Sequence, residues 1–366
     1  MTDTSPAQQL VGAVLNGRFR LVRLLGEGGM GAVYEADSLR GEGKRAVKLL
    51  HQEFVKEEQV LQRFYAEAQA TRALTHPNIA QVFDSGTAED GTPYLVMELL
   101  QGMPLTDYMP LGRPIPPQQA GPIIYAVLQA LSMAHGQRIV HRDLKPDNLF
   151  LVRDPRGSFV VKVLDFGIAK VMAEHAEMSA ALAMTGKEIT AFTPNYGAPE
   201  QFSRTHGATG PWTDVFAMAL ILVEILRGGI PALDGSDLIQ MAVASRDPHR
   251  RPTPRSFGVQ VPDAVERVFL SALAVNPGER YATLARMLRE RGYDSVVIGG
   301  PQCARDGAGG EQRPHLGCAI PANITTCECT VRCPWHRAWK PGPGAPRTAG
   351  RAAPRGGPRR SAPRAA

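Results

Sequence analysis

Residues 141–148 read HRDLKPDN. This short segment holds a carboxylate at Asp143, an ammonium at Lys145 and an amide at Asn148. A helix would scatter these groups around its circumference, and a strand would send Asp143 and Asn148 to opposite faces. Pro146 blocks a continuous helix and forces an irregular loop. A loop that concentrates a base, a cation and a metal-seeking amide on a rigid scaffold is a candidate for chemistry.

The surrounding chain is long enough to hold such a loop firmly. It has 366 residues, 43% of them hydrophobic, which suits a two-lobed unit with extensions and excludes global disorder. The formal net charge of +6 is unevenly spread. Residues 291–366 carry 12 Lys+Arg against 4 Asp+Glu, and subtraction from the totals of 41 and 35 leaves 29 against 31 for residues 1–290. The body is therefore nearly neutral, and the overall basicity gives no argument for a nucleic-acid protein. Cys303, Cys318, Cys327, Cys329 and Cys333 all fall after residue 300. A body free of cysteine needs no disulfide framework and suits a reducing compartment, so a cytoplasmic location is expected. The polar start MTDTSPAQQL lacks a signal-peptide pattern, and the longest apolar run, at 215–226, contains Glu224 and is too short to span a membrane.

Along the body the pattern changes once. Residues 19–50 read as strands around a glycine-rich turn, residues 53–74 as a helix with Phe54, Leu61, Phe64, Ala68 and Leu74 at helical spacing, and IAQVFDSG and YLVMELL as two further strands. After Gly102 the chain turns helical. Ile124, Val127, Leu128 and Leu131 share one face, a hairpin follows the opening loop, and residues 214–226 are apolar nearly all round, as in a buried helix. The fold class is therefore α+β: a small β-rich N-lobe with one helix, about 18–98, and a larger, mainly helical C-lobe, about 99–290. Residues 1–17 are expected to be a flexible N-terminus.

Three more features carry chemistry beside the opening loop. GEGGMGAVY sets Gly26, Gly28 and Gly31 between two strands. Taken alone this is equally an ordinary glycine-rich hairpin, but backbone amides approach a phosphate closely only where no Cβ intrudes. A strand rather than a helix follows, which favours a flap over phosphates and not a dinucleotide site. Lys48 lies mid-strand in AVKLL; a lone Lys is ordinarily on the surface, but this one has apolar neighbours beside the glycine flap, and a compact ammonium suits phosphates. Glu67, on the following helix, is the natural carboxylate to hold it. Asp165, in VLDFG at 163–167, follows an apolar strand at a sharp turn and can chelate a hard cation.

Together these features resemble the eukaryotic-like (Hanks-type) serine/threonine protein kinases of bacteria. The likeness covers roughly residues 18–290 and rests on LGEGGMGAVYEA, AVKLL, HPNI, YLVMELL, HRDLKPDNLFL, VLDFGIAK, GAPEQ and NPGERYAT, in family order. The resemblance implies a bilobal protein-kinase fold and transfer of the γ-phosphoryl of ATP to Ser or Thr hydroxyls of proteins, with Mg²⁺ (or Mn²⁺) bound. Asp143 would accept the hydroxyl proton, Lys145 would neutralise charge at the γ-phosphate, and Asn148 and Asp165 would bind the metal. Lys48 would hold the α- and β-phosphates, tied to Glu67, beneath a flap of Gly26, Glu27, Gly28 and Gly31. Val33 and Ala46 would roof the adenine, Met97 would stand behind it, and the backbone of Glu98 and Leu100 would bond its edge. Thr193 would touch the catalytic Asp and Lys, Asp214 would tie the catalytic loop to the long buried helix, and Glu200 and Arg280 would form a buried ion pair. Thr185 and Thr190 are the candidate regulatory phosphosites, with Arg142 to receive the phosphate. Phe192 and Ala219 stand where the family usually has Gly. The alternative reading is a kinase-fold scaffold, which would lack one or more of Lys48, Glu67, Asp143, Asn148 and Asp165; all are present. The partners implied are ATP and protein substrates, with no membrane span and no specific nucleic acid; the oligomeric state is left open.

Beyond 290 the helical pattern fades. From 341 to 366, 24 of 26 residues are Ala, Arg, Pro or Gly, a composition that cannot order itself. Cys327, Cys329, Cys333 and His336 fit no trusted zinc spacing. A solvated, disordered tail is expected, and a frameshift in a GC-rich gene near residue 285 would give the same text.

Overall fold

Phe19 and Leu21 are buried and Arg20 between them is exposed, the two-residue alternation of a half-covered strand. That alternation builds the first half of the molecule. A computed structural model describes residues 5–28, 31–51, 58–154, 157–166, 192–233 and 235–283. Thr185, Thr190, the cysteines and the tail from 291 lie outside these residues.

The chain opens with helix α1 (Pro6–Gln9) and strand β1 (Val14–Leu15), then β2 (Phe19–Gly28), β3 (Gly31–Ser38) and β4 (Lys44–Leu50). Helix α2 (Glu58–Ala73) follows, then β5 (Val82–Thr87) and β6 (Pro93–Glu98). These strands form one six-stranded sheet in the order β1-β2-β3-β4-β6-β5, with every neighbouring pair antiparallel. Residues 5–17, expected to be flexible, dock on its back: Ala7 and Leu15 are buried with Phe19, Tyr34, Val47 and Tyr94, and the Tyr34 hydroxyl donates to Ala7 O at 2.8 Å. The opposite face takes Leu50 and Leu95 together with Phe64 and Ala68 of α2, which are one helical turn apart. By the same alternation, Ala46 and Lys48 share the face of Leu50.

The second half is built on helices. Strand β7 (Gly102–Pro104), helix α3 (Leu105–Tyr108) and helix α4 (Pro117–Gly136) lead to the loop at 141–148 and the hairpin of β8 (Leu149–Arg153) and β9 (Phe159–Val163). Strands β7, β8 and β9 form a small second sheet. Then come α5 (Pro199–Phe202), α6 (Pro211–Arg227), α7 (Leu238–Arg246) and α8 (Asp263–Ala272). Helix α6 is buried on nearly all sides, from Val215 to Ile225, and packs with Val127 and Leu131 of α4 and Phe269 of α8. It ends at Gly228, whose φ of 77° permits the left-handed cap that returns the chain. Among the described residues, no helix is long and apolar enough to cross a membrane.

One strand differs from expectation. IAQVFDSG begins its β5 pairing only at Val82. Ile79 instead forms a parallel bridge to Val163 of β9, with Ala80 N–H donating to Val163 O and Val163 N–H donating to Asn78 O. The Asn78 amide also donates to Val161 O, which fixes the switch.

Near α5 a buried ion pair closes the C-lobe. Glu200 and Arg280 side chains are 0% exposed and meet in a two-pronged bond at 2.8 and 2.9 Å. Thr213 donates to Glu200 Oε1, and Arg280 also reaches Ala274 O and Val275 O while stacking 4.7 Å from the Phe216 ring. Every strong group is satisfied, so removing one partner strands the other charge. Glu200→Ala should lower unfolding free energy by about 3–5 kcal/mol. Urea denaturation checks this, and an unchanged midpoint would contradict it.

Candidate active site

The loop at 141–148 is shaped from below by one carboxylate. Asp214, on the first turn of α6, is 0% exposed and accepts three hydrogen bonds: His141 N–H at 2.9 Å, Arg142 N–H at 2.9 Å and His135 Nε2 at 2.7 Å. Burial would raise the Asp214 carboxyl, but the His135 bond and charge, with His141, hold it below the ordinary value. Arg142 is thereby kept at φ 66°, a conformation a non-glycine residue adopts at a cost. Its carbonyl is bound in turn by Gln201 Nε2 at 2.7 Å. His141 completes the frame: its Nε2 donates to Leu164 O at 2.7 Å and its Nδ1 accepts the Asp143 N–H at 3.3 Å, which assigns the proton to Nε2.

The polar side chains singled out in the sequence sit on this frame. Asp143 Oδ1 accepts from both the backbone N–H and the hydroxyl of Thr193, at 2.8 and 2.9 Å. The same hydroxyl accepts from Lys145 Nζ at 2.9 Å, and that ammonium lies 3.5 Å from Asp143 Oδ2. Pro146 starts a single 3₁₀ turn over Pro146–Asn148, where its missing N–H does no harm. The turn brings Asn148 back so that its Nδ2 donates to Asp143 O at 2.7 Å, which leaves Oδ1 on the other side as an oxygen ligand. Leu164 N–H donates to Asn148 O at 2.9 Å, so the residue before Asp165 is stitched to the catalytic loop.

Asp165 itself stands just past β9 with φ 55°. Its Oδ2 accepts from Lys48 Nζ at 2.7 Å. Burial would raise the Asp165 carboxyl, but the Lys48 ammonium outweighs it, joined by Lys145, and holds it below the ordinary value. Lys48 is only 6% exposed, so this partner offsets a desolvation that would otherwise be costly. The pairing of Lys48 with Asp165 was not anticipated in the sequence, which nominated Glu67. Glu67 lies on α2, and its side chain falls outside the described structure. Phe166 is buried next to Asp165, against the His141 ring at 4.9 Å, with its carbonyl bound by the Thr71 hydroxyl of α2.

The glycine flap is the β2–β3 hairpin, with Gly26 opposite Val33, Glu27 opposite Ala32 and Gly28 opposite Gly31. At Gly26 and Gly28 an added Cβ would meet no described atom within 4 Å, so packing does not explain these glycines. Gly31 differs: its φ is 153°, and a Cβ there would lie 2.0 Å from Leu49 O. Val33 pairs with Lys48, and Ala46 with Met97, which lines a small cavity with Leu95, Val82, Asp165 and Phe166. Glu98 ends β6 and Leu100 follows two residues on.

Hard oxygen donors on Asn148 and Asp165, one amide and one carboxylate, fit a divalent cation that keeps most of its waters and binds substrate phosphates. Among the described residues there is no cluster of three or more His, Cys, Asp or Glu that would form an all-protein cage. Sequence reasoning quoted Gln201, in GAPEQ, and His141, in HRDLKPDN, only as parts of motifs and gave neither a role.

A β-rich lobe with a glycine hairpin and a buried lysine, joined to a helical lobe carrying Asp143, Asn148 and Asp165, is the arrangement expected of the protein-kinase fold. The protein kinase domain matches residues 19–290, and the chain belongs to that family. It is 41% identical over 279 residues to the serine/threonine-protein kinase Pkn1 of Myxococcus xanthus, covering 76% of this chain and 38% of that one. It is 33% identical to PrkC of Bacillus subtilis over 278 residues (76% and 40%), and 36% identical to PknB of Mycobacterium leprae over 276 residues (75% and 42%). The chain thus spans about two-fifths of the length of these relatives. The crystal structure of the Mycobacterium tuberculosis PknI kinase domain superposes with a TM-score of 0.57 at 25% identity, covering 76% of this chain and 96% of that one.

The two kinds of glycine should respond differently to a methyl group. Gly31→Ala should cost about 1–3 kcal/mol of stability. Gly28→Ala should leave the denaturation midpoint in place and weaken nucleotide binding. Denaturation and calorimetry on both variants check this; equal midpoints for the two would contradict it.

Proposed function

We propose that the protein is an ATP-dependent serine/threonine protein kinase, transferring the γ-phosphoryl of Mg-ATP to Ser or Thr hydroxyls of protein substrates. The observation that carries this reading is the continuous set of bonds from Lys48 through Asp165, and from Asn148 through Asp143 and Thr193 to Lys145. The relatives named as serine/threonine kinases support the substrate class.

In this mechanism Asp143 receives the proton of the attacking hydroxyl. Its Oδ1 accepts two short bonds from Thr193, whereas Oδ2 has only contacts of 3.5 Å, to Lys145 Nζ and Asn148 Nδ2, so Oδ2 is the oxygen more open to the transfer. The hydroxyl oxygen forms the new bond to phosphorus as the bond from phosphorus to the ADP oxygen breaks. Lys145 stands 3.5 Å from that carboxylate and neutralises charge on the moving phosphoryl group. Lys48 holds the phosphates farther from the reacting end, beneath the flap of Gly26 and Gly28. Asn148 and Asp165 would hold Mg²⁺, which supplies charge neutralisation across the phosphate oxygens when bound. Positioning supplies most of the rate, so a rigid loop matters more than any covalent step.

Incubation with labelled ATP, Mg²⁺ and a general protein substrate tests the reading. Wild type should label the substrate, chelation of the metal should abolish labelling, and Asp143→Asn should lower kcat by about 100- to 10,000-fold. Lys48→Met should also lose most activity. Labelling by either variant at the wild-type rate would overturn the assignment.

A further inference from the structure

Lys162 lies on β9, three residues before Asp165. Val161 and Val163 on either side of it are buried in the C-lobe core, so Lys162 faces the other way. Its Nζ bonds Glu98 Oε1 at 2.7 Å, and the two side chains are 18% and 24% exposed. The same carboxylate oxygen accepts Gln81 N–H at 2.8 Å, while Glu98 N–H donates to Gln81 O at 3.0 Å. Glu98 is thus held by its backbone and by its side chain at once. The segment 78–80 just before Gln81 is itself bonded to β9 through Asn78 and Ala80. The neighbouring His76 imidazole is pushed below its ordinary pKa by burial and then by the Lys162 charge, so it adds no competing cation.

These contacts form a closed loop that the mechanism above does not use. The strand that delivers Asp165 to the phosphate end is bound, through one lysine, to the residue whose backbone borders the adenine end. We propose that Lys162 is a positioning residue for nucleotide binding: it clamps the Glu98 side chain to β9 and so holds the backbone of residues 98–100 in register for the adenine edge. The inference rests on the ATP-binding reading and deepens it. Lys162 touches neither the reacting atoms nor their partners, so its loss weakens the grip on adenine and leaves the chemistry intact.

The test is calorimetric binding of adenosine and of ADP, without metal, to the full chain carrying Lys162→Met, Lys162→Gln or Lys162→Arg, alongside steady-state kinetics. Lys162→Met and Lys162→Gln should weaken adenosine and ADP equally, by about fivefold, as expected for a partly buried pair. KM for ATP should rise by the same factor, with kcat and the KM for protein substrate within about twofold of wild type. Lys162→Arg, which keeps the charge, should restore binding. Wild-type adenosine binding in the Met and Gln variants overturns the inference, as does a fall in kcat at constant KM, or an Arg variant as weak as Met. If the wild-type protein binds neither adenosine nor ADP, the ATP reading falls with it.

Discussion

A single carboxylate with no exposure to water decides the shape of the site. Asp214 takes two backbone N–H groups from the catalytic loop and a third bond from His135, all within 2.9 Å. A buried carboxylate left unpaired would be costly, so the loop is drawn down onto the first turn of α6 and kept there. Arg142 accepts a left-handed backbone as the consequence, and Asp143 and Lys145 emerge beside Thr193. The placement of Asp143 and Lys145 thus rests on a carboxylate that touches neither side chain.

The same economy recurs at two further charged pairs. Lys48 is buried against Asp165, and Glu200 against Arg280. In each case the partners lie far apart in sequence, so each bond fixes a long-range relation: β4 to the end of β9, and α5 to the turn after α8. Such pairs are poor sources of net stability compared with apolar packing, but they disfavour alternative arrangements in which a charge would be left alone. The apolar work is done elsewhere, by α6 and α4 in one half and by the two faces of the sheet in the other.

Much of this could be read from the chain. The irregular loop at 141–148 was legible because Pro146 and the odd spacing of Asp143 and Asn148 exclude both regular elements. Helix α6 was legible because its residues are apolar on every side. The bond from Lys48 to Asp165 was not, since the two lie 117 residues apart and only the fold brings them within 2.7 Å; the nominated Glu67 side chain lies outside the described residues. The early departure of Ile79 from its strand was also hidden: an apolar residue satisfies either sheet, and the choice is made by hydrogen bonds of Asn78 that no periodicity records. Residues 1–17 were expected to be flexible; of those described, Ala7 and Leu15 are buried against Phe19, Tyr34, Val47 and Tyr94 of the sheet.

The most direct test of the account replaces Asp214 by Asn, which keeps the volume and removes the charge that three donors share. If that carboxylate positions the loop, kcat should fall by about 100-fold, the loss associated with misplacing a catalytic group by about an ångström. Affinity for metal-free ADP, whose proposed contacts lie mainly in the β-rich lobe, should stay within about twofold. An Asp214→Asn protein that transfers phosphate at the wild-type rate would contradict the account.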